Sequence, residues 1–169
     1  KKECMRTGNS LPDKIMHLET LLRKLAAWRL LGKTVSFTNG CFDLLHAGHI
    51  ASLVQAASEA DLLVVGLNAD VSVKGLKGPG RPLNGERARA EVLAALSMVD
   101  AVVLFETPTP LDLIRSIRPD VLVKGGDYRL EDIVGAKEVM EAGGRVVINP
   151  IVEGFSTTGL VAQIRKAGE

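Results

Sequence analysis

Two histidines three positions apart, His46 and His49, are the most chemically pointed feature of the sequence. Residues i and i+3 share one face of a helix, and imidazole rings carry donors suited to phosphate oxygens. The residues before them explain where such a helix would begin. Thr34–Thr38 reads as a buried strand, and Asn39-Gly40 lets the chain turn sharply after it. Asp43 is placed to cap the helix that follows. A helix N-terminus offers unpaired N–H groups and partial positive charge. The segment Phe37–His49, FTNGCFDLLHAGH, is therefore suited to hold a phosphate chain and to stabilise charge as it builds during phosphoryl transfer. Gly48 leaves room for a base or a phosphate to approach the backbone.

Other chemistries fit the segment less well. A zinc site needs a third ligand; Asp43 is near, but the remaining histidine, His17, belongs to an N-terminal helix. A dinucleotide-binding turn would show GxGxxG after the first strand, and TNGCFD does not.

Three further segments carry candidate ligands. In VKGGDY, Val123–Tyr128, Lys124 is suited to a phosphate, Gly125 and Gly126 to close approach, and Asp127 to a hydroxyl or metal. A tight strand–helix turn would use the same residues. In FSTT, Phe155–Thr158, Ser156 reads as a helix cap, with Thr157 and Thr158 beside it. The stretch Val73–Gly85, rich in Gly and Pro and carrying Lys74, Lys77 and Arg81, reads as a mobile loop beside the site or as an ordinary surface loop.

The elements that must position these groups follow from periodicity. Apolar residues at Ile15, Leu18, Leu21, Leu22, Leu25 and Trp28 predict an amphipathic helix over Leu11–Leu31, stopped at Gly32. Strands are expected at Thr34–Thr38, Asp61–Asn68, Ala101–Phe105, Asp120–Lys124 and Arg145–Asn149. Between them the spacing predicts helices at His46–Ala60, Glu86–Met98, Pro110–Ile117, Glu131–Ala142 and Ser156–Lys166. Strands apolar throughout, alternating with helices, imply an α/β fold with a parallel sheet covered on both faces. Right-handed crossovers gather the strand C-termini along one edge, where open α/β sheets bind ligands.

Bulk properties narrow the class. The chain has 169 residues, 46% hydrophobic, enough for one core without staples. We divide it into an extension with its helix over residues 1–32 and a main domain over 33–169. A net charge of +1 lacks the basic excess of a nucleic-acid binder. Cys4 and Cys41 form neither a metal spacing nor a disulfide framework. No apolar run approaches the ~20 residues that span a bilayer, and KKECMRTGNS lacks the apolar centre of a signal peptide. The expectation is a cytoplasmic protein with neither nucleic-acid nor membrane partners.

FTNGCFDLLHAGH resembles the nucleotide-binding motif of the cytidylyltransferase-like nucleotidyltransferases. LNADVSVKGLKGPGRPLN, Arg89 with its helix, RPDVLVKGGDY and EGFSTT follow in order to the C-terminus and resemble the adenylyltransferases of bacterial ADP-heptose synthesis. The resemblance implies a Rossmann-like, doubly wound, five-stranded parallel sheet in the order 3-2-1-4-5. It implies ATP as co-substrate, Mg2+ on the triphosphate, a heptose 1-phosphate acceptor, a homodimer, a separate upstream heptose kinase, and a product destined for lipopolysaccharide core. His46, His49 and Lys124 would be catalytic. The nucleotide would be held by Thr38, Asn39, Gly40, Cys41, Phe42, Asp43, Gly48, Asn68, Lys77, Arg89, Gly126, Asp127, Ser156, Thr157 and Thr158, with no dedicated metal cage in the protein. Cytidylyltransferases of this kind tend to carry an Arg where this chain has Ile151, which weighs against glycerol-phosphate or choline-phosphate acceptors. The alternatives are another family member, such as a glycerol-3-phosphate or phosphoethanolamine cytidylyltransferase or an FAD synthetase, and a nucleotide sensor without turnover.

Overall fold

The computed structural model describes residues 11–150, 154 and 157–167. Five strands, β1 (Val35–Gly40), β2 (Leu62–Asn68), β3 (Ala101–Phe105), β4 (Val121–Gly125) and β5 (Arg145–Asn149), pair in parallel in the order β3-β2-β1-β4-β5. This is the expected order. The helices are α1 (Leu11–Lys14), α2 (Leu18–Leu30), α3 (Ala47–Ser58), α4 (Asp70–Lys77), α5 (Glu86–Ala95), α6 (Leu111–Ile117), α7 (Ala136–Glu141) and α8 (Thr157–Ala167).

The strands alternate side chains between two cores, as the period of two requires. Val64, Val103 and Leu122 join Leu21 and Leu25 of α2, Ile114 and Ile117 of α6 and Val139 of α7 on one face. Leu63, Val65, Val102, Val121 and Val123 join Leu53 of α3 and Leu93 of α5 on the other. One position breaks the run of bulky strand residues: a Cβ on Gly66 would lie 2.7 Å from Phe37 Cζ, so the ring of Phe37 fills the place of a β2 side chain.

The amino edge of the sheet is closed by the aspartates that precede strands. Asp61 accepts from the Thr34 N–H and hydroxyl, both at 2.9 Å, Asp100 from the Leu63 N–H at 2.8 Å, and Asp120 from the Val35 N–H at 2.8 Å. Each carboxylate satisfies an N–H at the start of the neighbouring strand, where the ladder has yet to begin. Burial raises the Asp100 carboxyl above its ordinary value despite the Leu63 hydrogen bond and Lys14.

Several expected bounds are corrected. The N-terminal helix is two helices: Ile15 bridges in parallel to Val102, and the Met16 N–H donates to the Val102 carbonyl at 3.0 Å. The backbone leaves its helix there to pair with the outer edge of β3. Val73–Gly85 is not one loop, because α4 continues to Lys77. The helix expected over Glu131–Ala142 is a 3-10 turn, Leu130–Asp132, then α7, with Gly135 between them at φ 86°. A Cβ there would meet Ile114 Cδ1 at 2.6 Å as well as the backbone strain. Helix α5 ends at Ala95, short of Met98.

Candidate active site

The carboxyl ends of β1, β2 and β4 converge, and the turn after β1 opens α3 beneath them. His46 is the N-cap of α3 and His49 its third residue. Each Nδ1 accepts the other's backbone N–H, His49 N–H to His46 and His46 N–H to His49, both at 3.4 Å. The arrangement is a capping box made by imidazoles, satisfying two N–H groups that a helix start leaves open. The rings stack with centroids 3.8 Å apart. A neutral ring whose Nδ1 accepts carries its proton on Nε2, and both rings line the same cavity. Burial first, then the charges of His46 and Lys77, push the His49 pKa down to about 4.

Asp43 does not cap α3, contrary to expectation. Its carboxylate accepts from Arg81 Nη1 at 2.8 Å, from the Leu83 N–H at 2.8 Å and from the Asn84 N–H at 3.0 Å. Burial works against its ionisation, but the backbone bonds of Asn84 and Leu83 and the Arg81 guanidinium outweigh burial and hold its pKa below the ordinary value. The segment after α4 is thereby tied to the histidine turn rather than left as a free flap. Phe42, just before, adopts a left-handed φ of 45°, a conformation that costs a non-glycine residue about 1–2 kcal/mol. It sets the Phe42 ring 5.5 Å from the His49 ring. A Cβ on Gly40 would come within 3.0 Å of that ring, which explains the glycine.

Arg89 is corrected as well. The expectation made it a phosphate ligand, yet it is buried to 2% exposure and its donors are engaged. It donates to the carbonyls of Asn84, Cys41 and Asn68 at 2.9, 2.6 and 2.8 Å, and pairs with Asp70 at 2.7 Å. Its work is to knot the end of β2 to the turn after β1. Three carbonyls converging on one buried cation need a planar, multidentate donor, which is what arginine supplies.

On the other side of β1, Lys124 of β4 donates to Asn39 Oδ1 at 3.3 Å and lies 5.7 Å from the centre of the Tyr128 ring. Burial lowers its pKa, against a raising influence from Cys41. A cavity of about 410 Å³ runs between these groups. It gathers most of the expected residues: Thr38, Asn39, Gly40, Cys41, Phe42 and Asp43 from the β1 turn, His46, Gly48 and His49 from α3, Lys77 from α4, Lys124 and Gly126 after β4, and Thr157 at the start of α8. Asn68 is elsewhere, in a neighbouring cavity. Asp127 is exposed and lines neither. Ile151, Phe155 and Ser156 lie outside the described residues, as does the side chain of Thr158.

Ser52 and Tyr128 also line the cavity and were not foreseen. Ser52 stands one helical turn beyond His49, on the same face, a spacing that could have flagged it. A Cβ on Gly125 would meet Ser52 Oγ at 2.9 Å, so β4 passes hard against α3 at this point. Among the described residues no group of three or more His, Cys, Asp or Glu side chains is placed to hold a metal ion, and no helix is long and apolar enough to cross a membrane.

Known proteins share both sequence and fold. Residues 37–163 match the family described as cytidylyltransferase-like. The bifunctional protein HldE of Mesorhizobium japonicum is 55% identical over 153 residues, 90% of this chain and 31% of that protein. The bifunctional protein HldE of Nitrobacter winogradskyi is 59% identical over 137 residues, 81% of this chain and 28% of that protein. The chain thus spans about a third of the length of the curated relatives it matches. Among solved structures, the lipopolysaccharide core biosynthesis protein from Thermoplasma volcanium superposes with a TM-score of 0.58 at 27% identity, covering 72% of this chain and 98% of that one. Pantoate-beta-alanine ligase from Francisella tularensis superposes with a TM-score of 0.61 at 15% identity over 86% of this chain and 69% of that one, a likeness of fold alone.

Proposed function

This chain belongs to the cytidylyltransferase-like family, and from that premise we propose that it transfers AMP from ATP to D-glycero-β-D-manno-heptose 1-phosphate, releasing pyrophosphate. The observation that carries the reading is the stacked pair His46 and His49 at the start of α3, lining one cavity together with Lys124, in a chain 54–59% identical to bifunctional HldE proteins. An oxygen of the sugar phosphate attacks the α-phosphorus of ATP. A P–O bond forms there as the bond to the β-phosphate's bridging oxygen breaks, and pyrophosphate leaves with that electron pair. The nucleophile is already an anion, so no base and no covalent enzyme intermediate is required. The protein's contribution is alignment and charge stabilisation. His46 and His49 donate to the phosphates, Lys77 stands at the rim with its ammonium, and Lys124 meets the charge between the two substrates.

Mg2+ would ride on the triphosphate, since the described residues offer it no cage and this ion is commonly held by substrate phosphates and water. When bound it would neutralise phosphate charge. A cytoplasmic homodimer supplied by a heptose kinase belongs to the same proposal, and sedimentation velocity tests the dimer.

The deciding experiment measures pyrophosphate release with ATP or CTP against heptose 1-phosphate, hexose 1-phosphates and glycerol 3-phosphate. Turnover is expected with ATP and the heptose 1-phosphate. Preference for CTP or glycerol 3-phosphate would move the chain to another branch of the family, and nucleotide binding without turnover would make it a sensor.

A further inference from the structure

A second cavity of about 360 Å³ backs onto the first. The two share a wall made by Asn39, Gly40, Cys41, Lys124 and Tyr128. Beyond that wall the second cavity is bounded by Asn68 at the end of β2, Thr109 before α6 and Asp132 in the 3-10 turn, with apolar floor residues such as Leu122 and Ile133. Its size suits a small polar molecule, and none of its far walls comes from the histidine helix.

Asn68 gives this cavity a fixed polarity. The residue is 3% exposed. Its amide Nδ2 donates to Ser72 Oγ at 2.9 Å, and Ser72 Oγ donates in turn to the Thr107 carbonyl at 3.0 Å. Because the serine proton is committed to Thr107, Ser72 receives rather than gives toward Asn68, and the amide cannot turn over without losing that bond. The amide oxygen is left as the acceptor. A buried acceptor held in one orientation suits a hydroxyl group, which arrives as a donor.

We propose that the second cavity holds the polyhydroxylated body of the acceptor, a sugar 1-phosphate whose phosphate meets Lys124 in the shared wall, and that Asn68 selects it by accepting from a ring hydroxyl. This rests on the nucleotidyl-transfer reading above and deepens it. The shared lining fits the chemistry, because an in-line transfer needs the acceptor phosphate and the α-phosphate to meet, and Lys124 borders both cavities. Asp132 offers a second acceptor for hydroxyls at the cavity's outer side.

The test uses calorimetric titration of D-glycero-β-D-manno-heptose 1-phosphate, and separately of a non-hydrolysable ATP analogue, into wild type, Asn68→Ala and Val134→Trp. Val134 lines this cavity yet is 40% exposed, so a bulky residue there blocks the space without entering the core. Both variants are expected to weaken the sugar phosphate by roughly tenfold or more, the worth of one lost buried hydrogen bond or of lost space, with the ATP analogue within twofold. In steady state the same variants raise KM for the sugar phosphate and leave KM for ATP. Inorganic phosphate, which needs only Lys124, keeps its inhibition constant in Asn68→Ala. If Asn68→Ala does not fold, Val134→Trp decides the matter. Unchanged sugar-phosphate affinity in the folded variants, or equal loss of both ligands, overturns the proposal, as does a wild type that binds no heptose 1-phosphate. A wild type that binds it through Asn68 without turnover sinks the proposed reaction while upholding the cavity.

Discussion

His46 and His49 hold each other's backbone: each Nδ1 takes the partner's N–H at 3.4 Å, and the rings stack at 3.8 Å. The pair is a helix terminus and, in the proposed reaction, a phosphate receptor, and substitution can part the two roles. His46→Asn keeps a strong N-cap but loses the Nε2–H donor. Its melting temperature is expected near wild type, with kcat reduced by about 2.7–4 kcal/mol of barrier, the worth of one preorganised donor. His46→Ala should show the same kinetic loss and about 1 kcal/mol less stability. Thermal melts with single-turnover kinetics check both, and full activity in His46→Asn removes the ring from the reaction.

The depressed pKa of His49 sets a pH dependence. The unfolded imidazole takes a proton near the ordinary histidine value of 6.5, whereas in the fold it does so only at about 4. Between those values the unfolded chain binds the extra proton, so stability falls as pH drops from about 6.5 to about 4 and is full above. Denaturant midpoints across that window should show the slope, and His49→Asn should flatten it. Activity has no inflection from this ring at neutral pH.

Arg89→Met leaves three backbone carbonyls and Asp70 without their cation. We expect a loss of about 3–5 kcal/mol in urea unfolding, as for breaking a buried ion pair. Lys77→Ala, at the exposed rim, should leave the midpoint unchanged and lower activity. The opposite pattern would return Arg89 to the phosphate.

Asp43→Ala should free the segment around Leu83. Limited proteolysis between α4 and α5 is expected to quicken by roughly tenfold or more, because three hydrogen bonds at that carboxylate vanish. Acid should act likewise on wild type. A carboxyl with a lowered folded pKa contributes stability above its unfolded value, and that contribution is lost as pH falls through the folded one.

Local features were readable in the sequence and distant ones were not. The strand, turn and helix from Phe37 to His49 declare themselves because their signals lie within a dozen residues. Asp43 has the composition of a cap and the position for one, but its partners are 38 to 41 residues away. Arg89 sits among charged residues on a helix that looks solvated from its spacing. Only the convergence of the Cys41, Asn68 and Asn84 carbonyls makes it internal. The family resemblance alone assigns Asn68, at the end of the second strand, to the nucleotide. Which of two cavities it faces depends on α4 and the turn before α6, whose relative placement no periodicity encodes. The strand-opening aspartates were in view, at the head of two expected strands, without their purpose.

Phe37 and Gly66 are two halves of one volume, with the ring of one strand standing where the other lacks a side chain. Neither position is therefore free to drift alone. A methyl at 66 evicts the ring, and a smaller residue at 37 leaves a hollow beneath the centre of the sheet. Across distant relatives, an aromatic at the head of the histidine motif should be inherited together with glycine in the adjoining strand. Where one is exchanged, the other should change in compensation, an evolutionary coupling written by packing rather than by chemistry.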